Sequence, residues 1–426
     1  MTFDDLLREL REPPLPAHPA DAWEASQACL PAARPAFLRA EEIRAAWEYG
    51  RFGSPLPPEV PAMADRIAAD PLLKRLAWHA VWCVFEGPRD RLPGQWPGLQ
   101  ARLGDEAGLF WLLVTLAFVP AARKYHAALG LPEAVTADTC LQPACYAQNH
   151  RRGRGGRWGV YRTQFAWLAN YMAPNLYVRV GRFEYWRRPW HSRYRVYRHR
   201  DNTRTVALAE DGVRVSAAGD RCFRPDDPEP AGSWRTSFRE DAEGVTGNPV
   251  TPRGRVLREP VRLPPADWFG VLQPGDTVLD MHIPAGGGMT PAACAASFRD
   301  GLALFRTHFP EPRPRAIACA SWMFSEQVEE CLPPTANLPW LARQLYLLPH
   351  PCGPNDGLWF VFLQEKFDAV TAPRETSLQR ALLDYLARGR PWHIGAMFLL
   401  AEDLERVGAE PYRCGTAAKD RDLAVR

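Results

Sequence analysis

"GDTVLDMHIPAGGGMTPAACAASFRDGLALFRTHFPEPRPRAIACASWMF", residues Gly275–Phe324, is the stretch that decides the fold. In "TVLDMHIP", Leu279, Met281 and Ile283 alternate with Val278, Asp280 and His282, which is the period of a strand. Pro284 ends it, and the glycines Gly286, Gly287 and Gly288 follow. Thr290 suits a helix N-cap and Pro291 the first helical position. Cys294, Phe298, Leu302, Phe305 and Phe309 then mark one helical face, and Pro310 stops the helix. "RAIACAS" is a second apolar strand. The order strand, turn, helix, strand predicts a βαβ unit with parallel strands and a right-handed crossover.

The glycines admit positive φ and leave no Cβ to block an approaching ligand. With the N–H groups of Met289 and Thr290 they would present bare amides at a helix start, where the dipole favours an anion such as a pyrophosphate. A tight strand-to-helix connection also needs glycine, and the residues alone leave both readings open. The turn is neither a P-loop nor a G-x-G-x-x-G fingerprint.

Working outward, residues 175–274 alternate in strand fashion, with turns at "DN" and "DG". Upstream, residues 61–174 read as helical. "DPLLKRLAWHAVWCVFEG" and "EAGLFWLLVTLAFVPAARKYHAALG" carry helix-spaced apolar residues, with Pro120 an expected break or kink. Residues 1–60 are proline-rich and read as an extended arm with short helices. "TSLQRALLDYLARG" is a further helix, capped by Thr376 and ended by Gly389. The C-terminal "AAKDRDLAVR" is expected to fray.

The length of 426 residues and the 46% apolar content suit two or three globular domains. No apolar run reaches the ~18 residues of a membrane span. "GLFWLLVTLAFVP" reads as a buried helix, and the acidic "MTFDDLLREL" is no signal peptide. A cytoplasmic protein without membrane attachment is expected. The ten cysteines form no Cys-x-x-Cys pair and read as reduced, mostly buried thiols. Cys140, Cys145 and His150 are the one grouping with zinc-ligand chemistry, and their spacing fits no standard zinc pattern; no metal is expected. There is no Gly-x-Ser-x-Gly elbow and no His-Glu-x-x-His helix, so hydrolytic chemistry is poorly supported.

The segments "HIPAGGGMTPAACAASFRDGLALFRTHFPE" and "CASWMFSEQVEECLPPTANLPWLARQLYLLP", with "VGRFEYW" upstream and "TSLQRALLDYL" downstream, resemble a family of bacterial acyltransferase-domain proteins. These have a helical N-acyltransferase-type N-terminal domain and a GNAT-like C-terminal domain. The resemblance covers roughly residues 60–400. It implies an α+β protein: a helical domain over 61–174, then a GNAT-like domain over 175–415 with a mixed, mostly antiparallel sheet flanked by helices. It further implies an N-acyltransferase that uses acetyl-CoA or another acyl-CoA as co-substrate and a small-molecule amine as acceptor. The chain departs from the pattern in two places. Ile283 stands where the GNAT pyrophosphate motif has Arg or Gln, and "VGRFEYW" has Glu184 in place of Gln and Trp186 in place of Glu.

The resemblance implies direct transfer, with the pantetheine arm lying between the strands 277–283 and 315–321 much as an added strand would. Gly286, Gly287, Gly288, Met289 and Thr290, with Ile283, would hold the pyrophosphate. Ser321 and Trp322 would border the acyl group, and Asn337 would lie on the next helix. His282 is the first candidate general base, with Asp280 on the same strand face roughly 7 Å away to orient it. Glu184 is the second, with an ion pair to Arg182 as its structural alternative. Tyr346, expected on the same helix as Asn337, is the candidate proton donor to the leaving thiolate.

The second function class is binding without catalysis, of an acyl-CoA or of nucleic acid. Arg151–Arg200 contains thirteen arginines and one acid, Glu184. "YWRRPWHSRYRVYRHR" interleaves arginine with aromatics, as nucleic-acid-binding strands do. An arginine-rich solvated hairpin has the same look, and nucleic acid is the less favoured partner.

Overall fold

The computed structural model describes residues 1–426 except 16–17, 354, 365–366 and 414–426. Cys414 and the C-terminal "AAKDRDLAVR" lie outside the described residues. The chain divides into two compact units. The first comprises Met1–Val180, Glu184–Trp186 and Ile283–Gly286, and the second takes the rest.

The first unit is helical. Its central helices, Ala107–Leu116 and Phe118–Ala128, are separated by a single residue. Every residue of the former is buried, as expected for a helix that is apolar all round. Pro120 falls in the first turn of the latter, where its missing N–H has no intrahelical partner to lose. The buried helix expected over "GLFWLLVTLAFVP" is present. Gln100–Ala128 is long and apolar enough to cross a membrane by length and composition, yet 78% of its most apolar window is buried inside the protein.

The helix Pro71–Val81 is started by Asp70, whose carboxylate accepts the N–H groups of Leu72 and Leu73 at 2.9 and 3.3 Å. Residues 1–60, expected as an extended arm with short helices, carry the helices Phe3–Glu9, Ala20–Ala28 and Ala40–Tyr49. Their Leu6, Leu7, Trp23 and Ile43 share one core with Leu73 and Phe110. The prolines punctuate these helices, and the apolar faces between them are wide enough to be buried.

In the second unit the strands Thr277–His282, Ala316–Ser321, Gly395–Leu400 and Tyr346–Pro349 lie side by side in that order within one sheet. Thr277–His282 and Ala316–Ser321 are parallel, as the βαβ reading requires. The pairs on either side of Gly395–Leu400 are antiparallel. The crossover is the helix Pro291–His308, whose N-cap Thr290 accepts the N–H of Ala293 at 3.3 Å. Its Cys294, Phe298, Leu302 and Phe305 are buried.

A second, antiparallel sheet runs Arg255–Val256, Pro249–Thr251, Thr205–Ala209, Tyr194–His199 and Trp268–Leu272. The "DN" turn joins the hairpin Tyr194–His199/Thr205–Ala209. Tyr346 is a correction: it begins a strand and does not lie on the helix Asn337–Arg343. Antiparallel pairing with Phe398 and its neighbours supplies backbone partners that a longer helix would otherwise provide.

Candidate active site

The parallel pair is in register at Val278↔Ala316, Leu279↔Ile317 and Asp280↔Ala318. Both strands continue past this point, to His282 and to Ser321. Among the described residues no register joins Met281–His282 to Cys319–Ser321. On its other side, Ala316–Ser321 stays paired with Gly395–Leu400 along its whole length. The register of the two parallel strands thus ends short of their carboxyl ends, and an extended ligand could add to the sheet there.

The glycine turn opens from that end. Gly286 and Gly287 have φ of +83° and +71°, which an L side chain adopts only at a cost. All three glycines are exposed. A Cβ on Gly286 would meet nothing within 4 Å, and one on Gly288 only Thr290 Cγ2 at 3.6 Å. The turn is not plugged by side chains, and its amides lead into an 18-residue helix. Met289 is buried beside it. Ile283 is half-buried and supplies no charge.

His282 is half-buried at the end of its strand. Asp280 forms an ion pair with Arg188 at 3.1 Å. An acid in an otherwise apolar strand requires a cation, and that requirement is the sequence signal that could have singled out Arg188. Burial, and then the Asp280 charge, push the Cys319 thiol well above its ordinary range, so the thiol is not nucleophilic.

Ser321 Oγ accepts the N–H of Met323 at 3.3 Å and caps the short turn Trp322–Phe324. Trp322 belongs to an apolar cluster with Leu358, Phe362, Tyr385 and Trp392. A Cβ on Gly357 would lie 2.6 Å from Trp322 Cβ, so that contact is tight. Asn337 is exposed at the first position of its helix. Tyr346 is fully buried; its phenol donates to the Val250 carbonyl and accepts from Ala207 N–H at 3.2 Å. Burial raises its pKa.

Glu184 lies in the first unit and has no exposed surface. Tyr171 Oη donates to its Oε2 at 2.6 Å. Burial, then the Glu184 charge, hold the Tyr171 phenol well above its ordinary range. A donor directed at a buried carboxylate offsets part of its desolvation.

The zinc grouping has other uses. His150 Nδ1 donates to the Arg157 carbonyl at 3.0 Å, and the ring packs against Gly108 and Gly159. Cys145 Sγ donates to the Ala285 carbonyl at 3.4 Å. Cys140 is buried, which pushes its thiol up to about 12. Within the arginine-rich stretch, Arg187 donates to the carbonyls of Phe309 and Glu311, Arg193 and Arg195 pair with Glu210, and Arg198 pairs with buried Asp403. These guanidiniums are engaged by protein acceptors.

Comparison with known proteins agrees with this architecture. The N-acyltransferase N-terminal domain model matches residues 58–173, and the GNAT-like C-terminal domain model matches residues 178–399. The chain belongs to this family, and its class is that of acyl-CoA-dependent N-acyltransferases. No curated protein matches it by sequence.

Among solved structures it is similar to an acyltransferase in complex with CoA and 10C-teicoplanin, at 23% identity over 94% of this chain and 99% of that one, with a TM-score of 0.57. It is also similar to an acyltransferase in complex with decanoyl-CoA, at 22% identity over 94% and 99%, with a TM-score of 0.56. At such identities the likeness is one of fold.

Proposed function

We propose that the chain transfers an acyl group from acyl-CoA to an amine of a small-molecule acceptor, by direct attack with both substrates bound. The observation that carries this reading is the parallel strand pair whose register ends at Asp280 and Ala318, followed by an unobstructed glycine turn. That end of the pair takes the pantetheine arm. The amides of Gly286–Thr290, at the positive end of the helix, take the diphosphate. The acceptor nitrogen attacks the thioester carbon, the C–N bond forms and the C–S bond breaks. His282 takes the proton released from nitrogen, and that proton passes on to the CoA thiolate as it leaves. Acetyl-CoA is the donor that the resemblance implies. The similar acyltransferases were crystallised with octanoyl-CoA, decanoyl-CoA and teicoplanin, which supports a longer acyl group and a large small-molecule acceptor.

Calorimetry and thermal shift with CoA and its acetyl, octanoyl and decanoyl esters test the reading. Stabilisation by about 2.7–4.1 kcal/mol is expected at 100- to 1,000-fold excess over Kd, with tighter binding for the longer esters. His282→Gln should keep the binding and lower kcat by about 100- to 10,000-fold. Absence of binding by every ester would remove the proposal; undiminished turnover in the variant would remove His282 as the base.

A further inference from the structure

We infer that Arg182 is a ligand of the CoA diphosphate, supplying from a different strand the cation that Ile283 cannot. This rests on the reading above, in which the glycine turn holds that diphosphate, and it adds a residue from outside the turn.

The placement comes from the packing of Gly181–Phe183. Gly181 has φ +64°, and a Cβ there would lie 3.5 Å from Ser297 Cβ. The N–H of Phe183 donates to Ser297 Oγ at 3.1 Å. The Phe183 ring stacks on Phe298 with centroids 5.3 Å apart and an interplanar angle of 18°. The residues on both sides of Arg182 are thus fixed to the second turn of the helix that the glycine turn enters.

Arg182 then reaches the turn itself. The first atom of a side chain on Gly287 would lie 3.8 Å from Arg182 Cδ and 3.9 Å from its Nε. In the first turn of the helix, burial pushes the Cys294 thiol up to about 11, and the Arg182 charge acts against that rise.

Arg182 is only 9% exposed. Its side chain stands beside Gly287, at the turn that leads into the helix N-terminus, where one diphosphate could meet both the guanidinium and the turn amides. A planar guanidinium suits a diphosphate, since it binds two phosphate oxygens at once. Strand alternation in "VGRFEYW" puts this arginine on the face of Glu184; its approach to Gly287 comes from the folded chain.

The test is the Kd of decanoyl-CoA and of decanoyl-pantetheine, which lacks the diphosphate, for the wild-type chain, Arg182→Gln and Arg182→Lys. Arg182→Gln is expected to weaken decanoyl-CoA about 10- to 100-fold and to leave decanoyl-pantetheine unchanged. Arg182→Lys, which keeps the charge and loses the fork, should fall between. A role in packing alone would weaken both donors equally, and that result, or an unchanged Kd for decanoyl-CoA, overturns the inference. If Arg182→Gln does not fold, Arg182→Lys decides by the same criterion. A wild-type chain that binds neither donor removes the proposed function and this inference with it; one that binds both, with both variants unchanged, removes the inference alone.

Discussion

The Glu184 carboxylate has no exposed surface and accepts a hydrogen bond from the Tyr171 phenol at 2.6 Å. Gly286–Gly288 leave their backbone open to solvent, with no side chain packed over Gly286. Both places were singled out as candidate sites, and the fold treats them in opposite ways. At Glu184 the helical unit closes polar groups on one another. A second example there is His79, whose Nδ1 lies 2.7 Å from Ser26 Oγ and whose Nε2 lies 2.9 Å from His18 Nε2. The strand-to-helix corner keeps its hydrogen-bonding capacity unspent. Polar groups satisfied internally contribute to stability, whereas those left available are free to bind.

The largest effect expected from this contrast is acid lability of the sealed sites. Burial lowers the His79 imidazole to about 3 and His18 to about 4, while in the unfolded chain both titrate near 6.5. Between those values the unfolded chain takes up protons that the fold refuses. Stability is therefore full above pH 6.5 and falls on acidification, by up to about 1.4 kcal/mol per pH unit for fully buried His79. Urea midpoints measured from pH 7.5 to 4.5 should fall steadily, and His79→Gln should flatten the slope. A midpoint that ignores pH over this range would break the comparison.

Next in size is Tyr171→Phe. It removes a donor from a buried carboxylate and should destabilise the chain by about 1.5–3 kcal/mol, read as a lowered urea midpoint at pH 7.5. A neutral result would mean that Glu184 is not charged and sealed in the way described.

The smallest effect sharpens the open side. Gly287→Ala has room, with Arg182 Cδ at 3.8 Å from the new atom, but holds φ at +71°. Its stability cost should be about 1–2 kcal/mol. Gly288→Ala, whose φ is not positive and whose nearest neighbour is Thr290 Cγ2 at 3.6 Å, should cost less. Equal costs in paired thermal melts would show that the turn does not need its left-handed backbone.

Much of the fold was legible because local rules decide it. Alternation over Thr277–His282, the Thr290–Pro291 start and the phenylalanine spacing of the following helix each act within a few residues, and the parallel pairing of Val278 with Ala316 follows from them. The structure of residues 1–60 was less legible. Their prolines signal breaks, while the burial of Leu6, Leu7 and Trp23 depends on apolar residues far along the chain. Tyr346 failed as a helical residue for the same reason, since its strand exists through pairing with Gly395–Leu400. At the candidate site the glycines and His282 could be named from the sequence. The partners of its charges could not, because Arg188 reaches Asp280, and Arg182 reaches Gly287, across the fold.

By itself, the sequence determined the βαβ unit, the helical character of the first unit and the presence of a glycine turn where an anion could bind. These follow from side-chain period, capping and backbone freedom, which act over one or two turns. The tertiary structure decided which polar groups are used up and which stay available, because burial and ion pairing depend on segments hundreds of residues apart. The end of the parallel register at Asp280 and the arginine brought to Gly287 belong to that second kind.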